Sequence, residues 1–228
     1  CSKKYNASRE DQDRYAAESY RRALAAIEAG RFQDEIVAVS IPQRKGDPIL
    51  FSQDECPRET SYESLAQLKP VFKEGGVTTP GNASIISDGA AAVVVMAREK
   101  AEAMGCQILA TIGSQASAGI DAKYLLVAPI LGIPKCLNKE GISQEDVDLF
   151  EINEAFSGST VAVLKELQLD PAKVNVNGGS VALGHPIGAS GCRVLVTLLH
   201  EMIKQDKKTG LASLCLGGGE SVAMVVKR

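Results

Sequence analysis

From residue 87 onward the chain alternates between continuous apolar runs and stretches with a helical period. "AAAVVVMA" (90–97) predicts a buried strand, "REKAEAMG" (98–105) a helix stopped by Gly105, and "CQILATIGSQAS" (106–117) a second strand. "APILGIPKCLNKEG" (128–141) predicts a helix, "SQEDVDLFEI" (143–152) a short capped helix running into a strand, and "AFSGSTVAVLKELQL" (155–169) a further helix. "KVNVNGG" (173–179) predicts a strand, and a helix over about 189–204 follows. "GLASLCLGGGESVAMVVKR" (210–228) closes the chain as two strands joined by a glycine turn. Strands alternating with helices place the chain in the α/β class, with layered packing.

The first 86 residues have a different texture. "SREDQDRYAAESYRRALAAIEAG" (8–30) predicts an amphipathic helix capped by Ser8 and ended by Gly30. "EIVAVSI" (35–41) is β-like, and the polar, proline-bearing residues 42–72 keep no period. That much irregular chain is more often functional than incidental. A weak internal repeat links "SIISDGAAAVVVMA" (84–97) with "SLCLGGGESVAMVVK" (213–227), each reading as strand, glycine turn, apolar strand. Two copies of one half-domain explain it, and so does chance likeness between two buried hairpins.

Composition narrows the partners. The chain has 228 residues, 45% hydrophobic and 23% charged, enough to bury a substantial core. A formal charge of −3 and only 4% aromatic residues supply neither a basic face nor stacking platforms, so nucleic acid is excluded as an expected partner. No apolar run reaches the roughly 20 residues of a bilayer span, so no membrane association is expected. The chain has no initiator methionine and opens just ahead of a helix, which suggests a piece of a longer polypeptide, cytoplasmic or mitochondrial with a leader removed. Its six cysteines show no CxxC spacing, so neither a zinc site nor a disulfide framework is expected.

Few residues stand out as chemically active. His185 sits between Gly184, which permits close approach, and Pro186, which holds it extended, and its ordinary pKa suits proton transfer at neutral pH. His200 falls near the end of a helix, where imidazolium suits the dipole, and is assigned no catalysis. Cys215, ahead of three glycines at a strand end, reads either as an acid/base or nucleophilic thiol or as a buried apolar residue. Asn153 and Glu154 follow an apolar strand, where α/β folds present side chains to ligands. A helix-capping role is equally open for that pair.

Three motifs, in this order and at these separations, resemble the C-terminal signatures of the thiolases: "NEAF" (153–156), "GGSVALGHPIGASG" (178–191) and "CLGGG" (215–219). "GNASIISDGAAA" (81–92) is similar to that family's pantetheine-contacting segment and "SREDQD" (8–13) to its loop domain. The likeness spans the whole chain and is nearest the acetyl-CoA acetyltransferase branch.

The resemblance implies a layered αβαβα fold with an incomplete N-terminal half. Residues 1–86 then form the CoA-binding loop domain, 87–108 the end of the N-terminal half, and 109–228 the C-terminal half. By the same likeness, His185 accepts the nucleophile's proton and, with a water held by Asn153, forms an oxyanion hole. Cys215 is the acid/base at the α-carbon of acetyl-CoA. Ser84 holds the pantetheine arm and Arg58 lies toward the nucleotide end, with Ala155, Phe156 and Gly217 also against CoA. No resident cofactor is implied beyond coenzyme A thioesters, although Tyr20 and Val181 match positions used for potassium in some relatives.

The implied reaction is a reversible Claisen condensation of two acetyl-CoA to acetoacetyl-CoA. The implied assembly is a homo-oligomer, dimer or tetramer. One departure stands out: no motif resembling N-x-x-C-x-S-G, the family's nucleophile, occurs in the 228 residues. They are therefore expected to be inactive and aggregating by themselves, waiting for a missing N-terminal thiolase portion. Two alternatives stay open, a non-catalytic CoA-binding subunit and a 3-ketoacyl-CoA thiolase of longer chain specificity.

Overall fold

All 228 residues are described in the structure, a computed structural model. Helix α1 (Arg9–Glu28) begins as its sequence predicts. The Ser8 hydroxyl accepts from the Asp11 N–H and the Asp11 carboxylate accepts from the Ser8 N–H, a reciprocal capping box. The helix stops ahead of Gly30, which takes a positive φ. The β-like segment shrinks to a small exposed hairpin, β1 (Val39–Ile41) against β2 (Ile49–Phe51). Short helices α2 (Tyr62–Ala66) and α3 (Arg98–Ala103) follow.

The main body begins at β3 (Thr111–Gly119), followed by α4 (Pro129–Glu140), β4 (Leu149–Ile152) and α5 (Ser157–Leu167). One-turn α6 (Ser180–Leu183), α7 (Ser190–Lys204), β5 (Thr209–Leu216) and β6 (Glu220–Lys227) complete it. The four strands form one sheet in the order β3-β6-β5-β4. β4 and β5 are parallel, and the β3–β6 and β5–β6 pairs are antiparallel.

Strand alternation decides which helix each residue meets. Phe150, Ile152, Leu211, Ala223 and Val225 face α4 and α5, through Ile133, Leu137 and Val163. Leu149, Ala212, Leu214 and Val226 face α7, through Val194, Leu198 and Met202. The sheet is thus sandwiched between helical layers. Apart from this core, α1 lays Ala16, Tyr20 and Ala23 against Leu65 of α2 and Val181 and Ala182 of α6. Gly178, at positive φ, is where the chain passes α1 so closely that a Cβ would meet the Ser19 carbonyl and Ala23.

Several expectations need correction. Residues 90–97 pair with no strand, and Val94 is 84% exposed. Within these 228 residues no strand lies beside the run to accept its hydrogen bonds. The 84–97 copy of the repeat therefore forms no hairpin, in contrast to β5–β6. Residues 173–179 form a turn with a single bridge from Val174 to Phe150, because Asn175 adopts a left-handed φ and spends its side chain bonding Ile152 and Glu154. Residues 143–147 make a bend held by Ser143 and Asp146, and the strand predicted at 106–117 begins at Thr111 and reaches Gly119.

Candidate active site

The parallel pair β4–β5 delivers two candidate functional side chains, Asn153 and Cys215, to one end of the sheet. β4 ends at Ile152, and the next residue, Asn153, keeps the ladder for one more step by donating its N–H to the Ser213 carbonyl at 3.0 Å. Cys215 stands two residues beyond Ser213 on β5, just before the turn at 217–219. The ends of parallel strands are where α/β sheets present side chains to ligands. Neither Asn153 nor Glu154 caps α5. That role falls to Phe156, whose carbonyl accepts from the Ser159 hydroxyl at 2.6 Å.

His185 is brought to Asn153 by the loop after α6. Gly184 has φ +101, and a Cβ there would collide with Ser87, so the close approach read from the sequence is real. The His185 N–H donates to the Ile85 carbonyl at 2.7 Å, binding the loop to the segment that carries Ser84. Its ring is held from both sides: Nε2 lies 3.3 Å from Asn153 Nδ2, and Nδ1 lies 2.6 Å from Ser190 Oγ.

These partners determine where the ring proton sits. The Pro186 carbonyl, 3.0 Å away, is an acceptor for the Ser190 hydroxyl proton, and with the proton placed there Ser190 accepts from His185 and Nδ1 carries the hydrogen. Asn153 accepts the Ser180 hydroxyl on Oδ1 at 2.6 Å, so its amide nitrogen faces Nε2. Nε2 is thereby left as a lone pair, the form a general base needs. Burial, and secondarily the Arg193 cation, hold the His185 pKa below its ordinary value, so the ring is neutral at physiological pH. Burial pushes the Cys215 thiol upward instead, favouring its protonated form.

Glu154 does structural work from the same loop. Fully buried, it accepts from the Tyr15 and Ser19 hydroxyls at 2.7 Å each, from Asn175 Nδ2 at 2.9 Å and from the Val181 N–H at 3.1 Å. One carboxylate thus ties α1 to the loop and to α6.

The other predicted residues are placed as follows. The Ser84 hydroxyl and N–H both donate to the Ala155 carbonyl, at 2.8 and 3.3 Å, and Ala83 bridges Phe156, so Ser84, Ala155 and Phe156 form one surface. Phe156 meets Phe72 edge-on, with centroids 6.2 Å apart. Arg58 stands over the Tyr20 ring at 5.0 Å. Tyr20 and Val181 are both completely buried in one cluster, and the Tyr20 hydroxyl has no hydrogen-bond partner. Gly217 is exposed in the turn after Cys215. His200 is depressed by burial and by Lys204, so its expected imidazolium character at the helix end is not favoured.

The family models for "Thiolase, N-terminal domain" and "Thiolase, C-terminal domain" match residues 1–99 and 106–228. The chain belongs to the thiolase family. It is 55% identical, over its whole length, to the acetyl-CoA acetyltransferase of Pseudomonas aeruginosa, of which it covers 58%. The crystal structure of the Bacillus anthracis acetyl-CoA acetyltransferase superposes with a TM-score of 0.97 at 47% identity, covering 99% of this chain and 57% of that one. Human mitochondrial 3-ketoacyl-CoA thiolase gives 0.92 at 36% identity, with the same coverage. The chain spans a little over half the length of the relatives it matches.

Four residues near this candidate site escaped the sequence reading: Ser180, Ser190, Arg193 and Glu151. Glu151 alone left a signal, as a charged residue inside the otherwise apolar strand "LFEI". It is buried 3.8 Å from Arg193, and burial outweighs that cation, pushing its carboxyl up to about 8.

Proposed function

We propose that the protein carrying this chain is an acyltransferase that runs the reversible Claisen condensation of two acetyl-CoA to acetoacetyl-CoA and CoA. One observation carries the reading: a neutral His185 with its Nε2 facing Asn153, which follows β4 at the end of the sheet where Cys215 closes on the turn of the parallel β5. A base of this kind takes a proton from a thiol, and the resulting thiolate attacks the thioester carbonyl of acetyl-CoA. The nucleophilic cysteine belongs, in this reading, to the part of the relatives that the chain does not span. CoA thiolate leaves with the proton held by His185. Cys215 then removes an α-proton from the second acetyl-CoA, and the carbanion attacks the acetyl-enzyme and expels the cysteine thiolate. In thiolysis the buried Cys215 thiol supplies that proton, the form its raised pKa favours, whereas condensation requires it to deprotonate first. While His185 holds the proton taken from the thiol, its Nε2–H and a water on Asn153 donate to the developing oxyanion, a role worth about 100- to 1000-fold per donor.

CoA is held, on this reading, by Ser84 and the adjoining Ala155 and Phe156, with Arg58 toward the nucleotide and Gly217 leaving open backbone near the thioester. The same reading divides the chain into a loop domain (1–86), the end of an N-terminal half (87–108) and a C-terminal half (109–228), in a cytoplasmic homo-oligomer. The orphaned Tyr20 hydroxyl beside Val181 fits a monovalent cation, which would need such an oxygen, and potassium is the ion proposed. A second reading, thiolysis of longer 3-ketoacyl-CoA, is favoured by the likeness to the human mitochondrial structure.

The test is to expose the whole protein to acetyl-CoA and follow the acetyl adduct by mass spectrometry together with acetoacetyl-CoA release. One acetyl group on a cysteine is expected, with product formation reduced about 100-fold or more in Asn153→Ala. Absence of both adduct and product sinks the acyltransferase reading, and faster turnover of long 3-ketoacyl-CoA selects the second one.

A further inference from the structure

The Asn153 amide works only in one orientation, and its own backbone does not decide which. Reversed by half a turn, it would present Oδ1 to His185, favour a proton on Nε2, and remove the lone pair. What selects the orientation is a chain of donors reaching back into the interior. Ser180 Oγ lies 2.6 Å from Asn153 Oδ1, and Arg193 Nη2 lies 3.3 Å from Ser180 Oγ. Guanidinium nitrogens only donate, so Arg193 fills one of the two acceptor sites on Ser180 and biases its single hydroxyl proton toward Asn153 Oδ1. Arg193 is anchored in turn by its place in the first turns of α7 and by Glu151, 3.8 Å away on β4, the strand that leads into Asn153.

We propose that Arg193 and Ser180 are positioning residues that set the Asn153 amide, and through it the Nδ1–H tautomer of His185. The inference deepens the acyltransferase reading and rests on it for its purpose, but not for its geometry. Burial makes such a chain directional. Ser180 and Asn153 are 0% and 4% exposed, so water does not compete for their protons, and one fixed donor propagates along the series. Ser180 and Arg193 touch neither His185 nor reacting atoms; Ser180 acts through orientation, and Arg193 adds to its place in the chain a charge that lowers the His185 pKa.

The decisive readout is the protonation pattern of the His185 ring nitrogens, taken from 15N resonances of the whole protein and assigned by the signals lost in His185→Asn. The unaltered protein is expected to show Nδ1 protonated and Nε2 bare at neutral pH. Ser180→Ala is expected to abolish that dominance, giving a mixture with the Nε2–H form, and to lower the rate of product formation by up to about 100-fold at unchanged substrate affinity. Should Ser180→Ala not fold, Arg193→Lys decides, since lysine keeps the charge but not the fork that reaches both Ser180 and Glu151. A change in folding alone would lower the melting temperature without moving the tautomer. If the folded variant keeps the parent's tautomer, or the parent itself carries its proton on Nε2, the proposal is overturned. Failure of the acyltransferase reading looks different: no acetoacetyl-CoA from the unaltered protein, with the tautomer shift still present.

Discussion

Two apolar stretches of nearly the same character meet opposite fates in this chain. Residues 90–97, "AAAVVVMA", pair with no strand within these 228 residues and leave Val94 and Val95 in the open, whereas β6, with "VAMVV" at 222–226, is laddered on both edges and buries Ala223, Val225 and Val226. The difference does not lie in propensity, since both are rich in valine. It lies in partners: β6 has β5 and β3 beside it, α4 beneath and α7 above, while 90–97 has none of these. A strand is a property of its neighbours before it is a property of its residues.

The largest test of that contrast is a pair of identical substitutions. Val225→Asp places a carboxylate in the core between the sheet and α4, and is expected to cost more than about 4 kcal/mol, seen as loss of the folded protein in chemical denaturation. Val94→Asp is expected to change stability by no more than about 0.5 kcal/mol if nothing outside these 228 residues packs on the run. Equal effects at the two sites would mean that 90–97 is covered in solution and that the contrast is wrong.

A smaller effect asks where the early helix belongs. α1 precedes the irregular region, yet Glu154 binds its Tyr15 and Ser19. Glu154→Ala leaves buried donors from α1, Asn175 and Val181 without an acceptor, at an expected cost of about 1 to 3 kcal/mol in the denaturation midpoint. An unchanged midpoint would place α1 with the loosely packed part of the chain.

A further effect is a slope against pH. Glu151 has a folded pKa raised to about 8 from 4.5, so between those values the folded state keeps a proton that the unfolded state has released. Stability from this group is therefore greatest at low pH, declines as pH rises through that window, and levels off above about 8. Glu151→Gln cannot titrate, and should flatten the pH dependence between pH 5 and 7 by about 1.4 kcal/mol per unit. An unaltered slope would show that Glu151 is ionised in the fold and paired fully with Arg193.

Much of the body was legible in the residues. The capped α1, the proline-started α4 with Gly141 at its end, α5, α7 and the glycine-turned β5–β6 hairpin carry their signals locally, within a turn or two of chain. The site was legible in outline for the same reason: glycine and proline around His185 constrain its backbone whatever surrounds them. Residues 173–179 were misread because Asn175 answers to Glu154 and Ile152, some twenty residues away, and not to its own valines. Ser180, Ser190 and Arg193 carry no signal, since a hydroxyl or guanidinium acquires its role only from the acceptor that another segment brings to it.

The sequence by itself determined where helices start and stop, which family the motifs resemble, and which histidine and cysteine have room to act. Caps, turns and motif spacing are short-range, and their physics is complete within a few residues. Tertiary structure alone decided which apolar run is buried, which nitrogen of His185 bears the proton, and how far Glu151 resists ionisation. Each of those depends on dielectric surroundings and hydrogen-bond partners assembled from β4, α6, α7 and the loop between them, and no single stretch of the chain contains them.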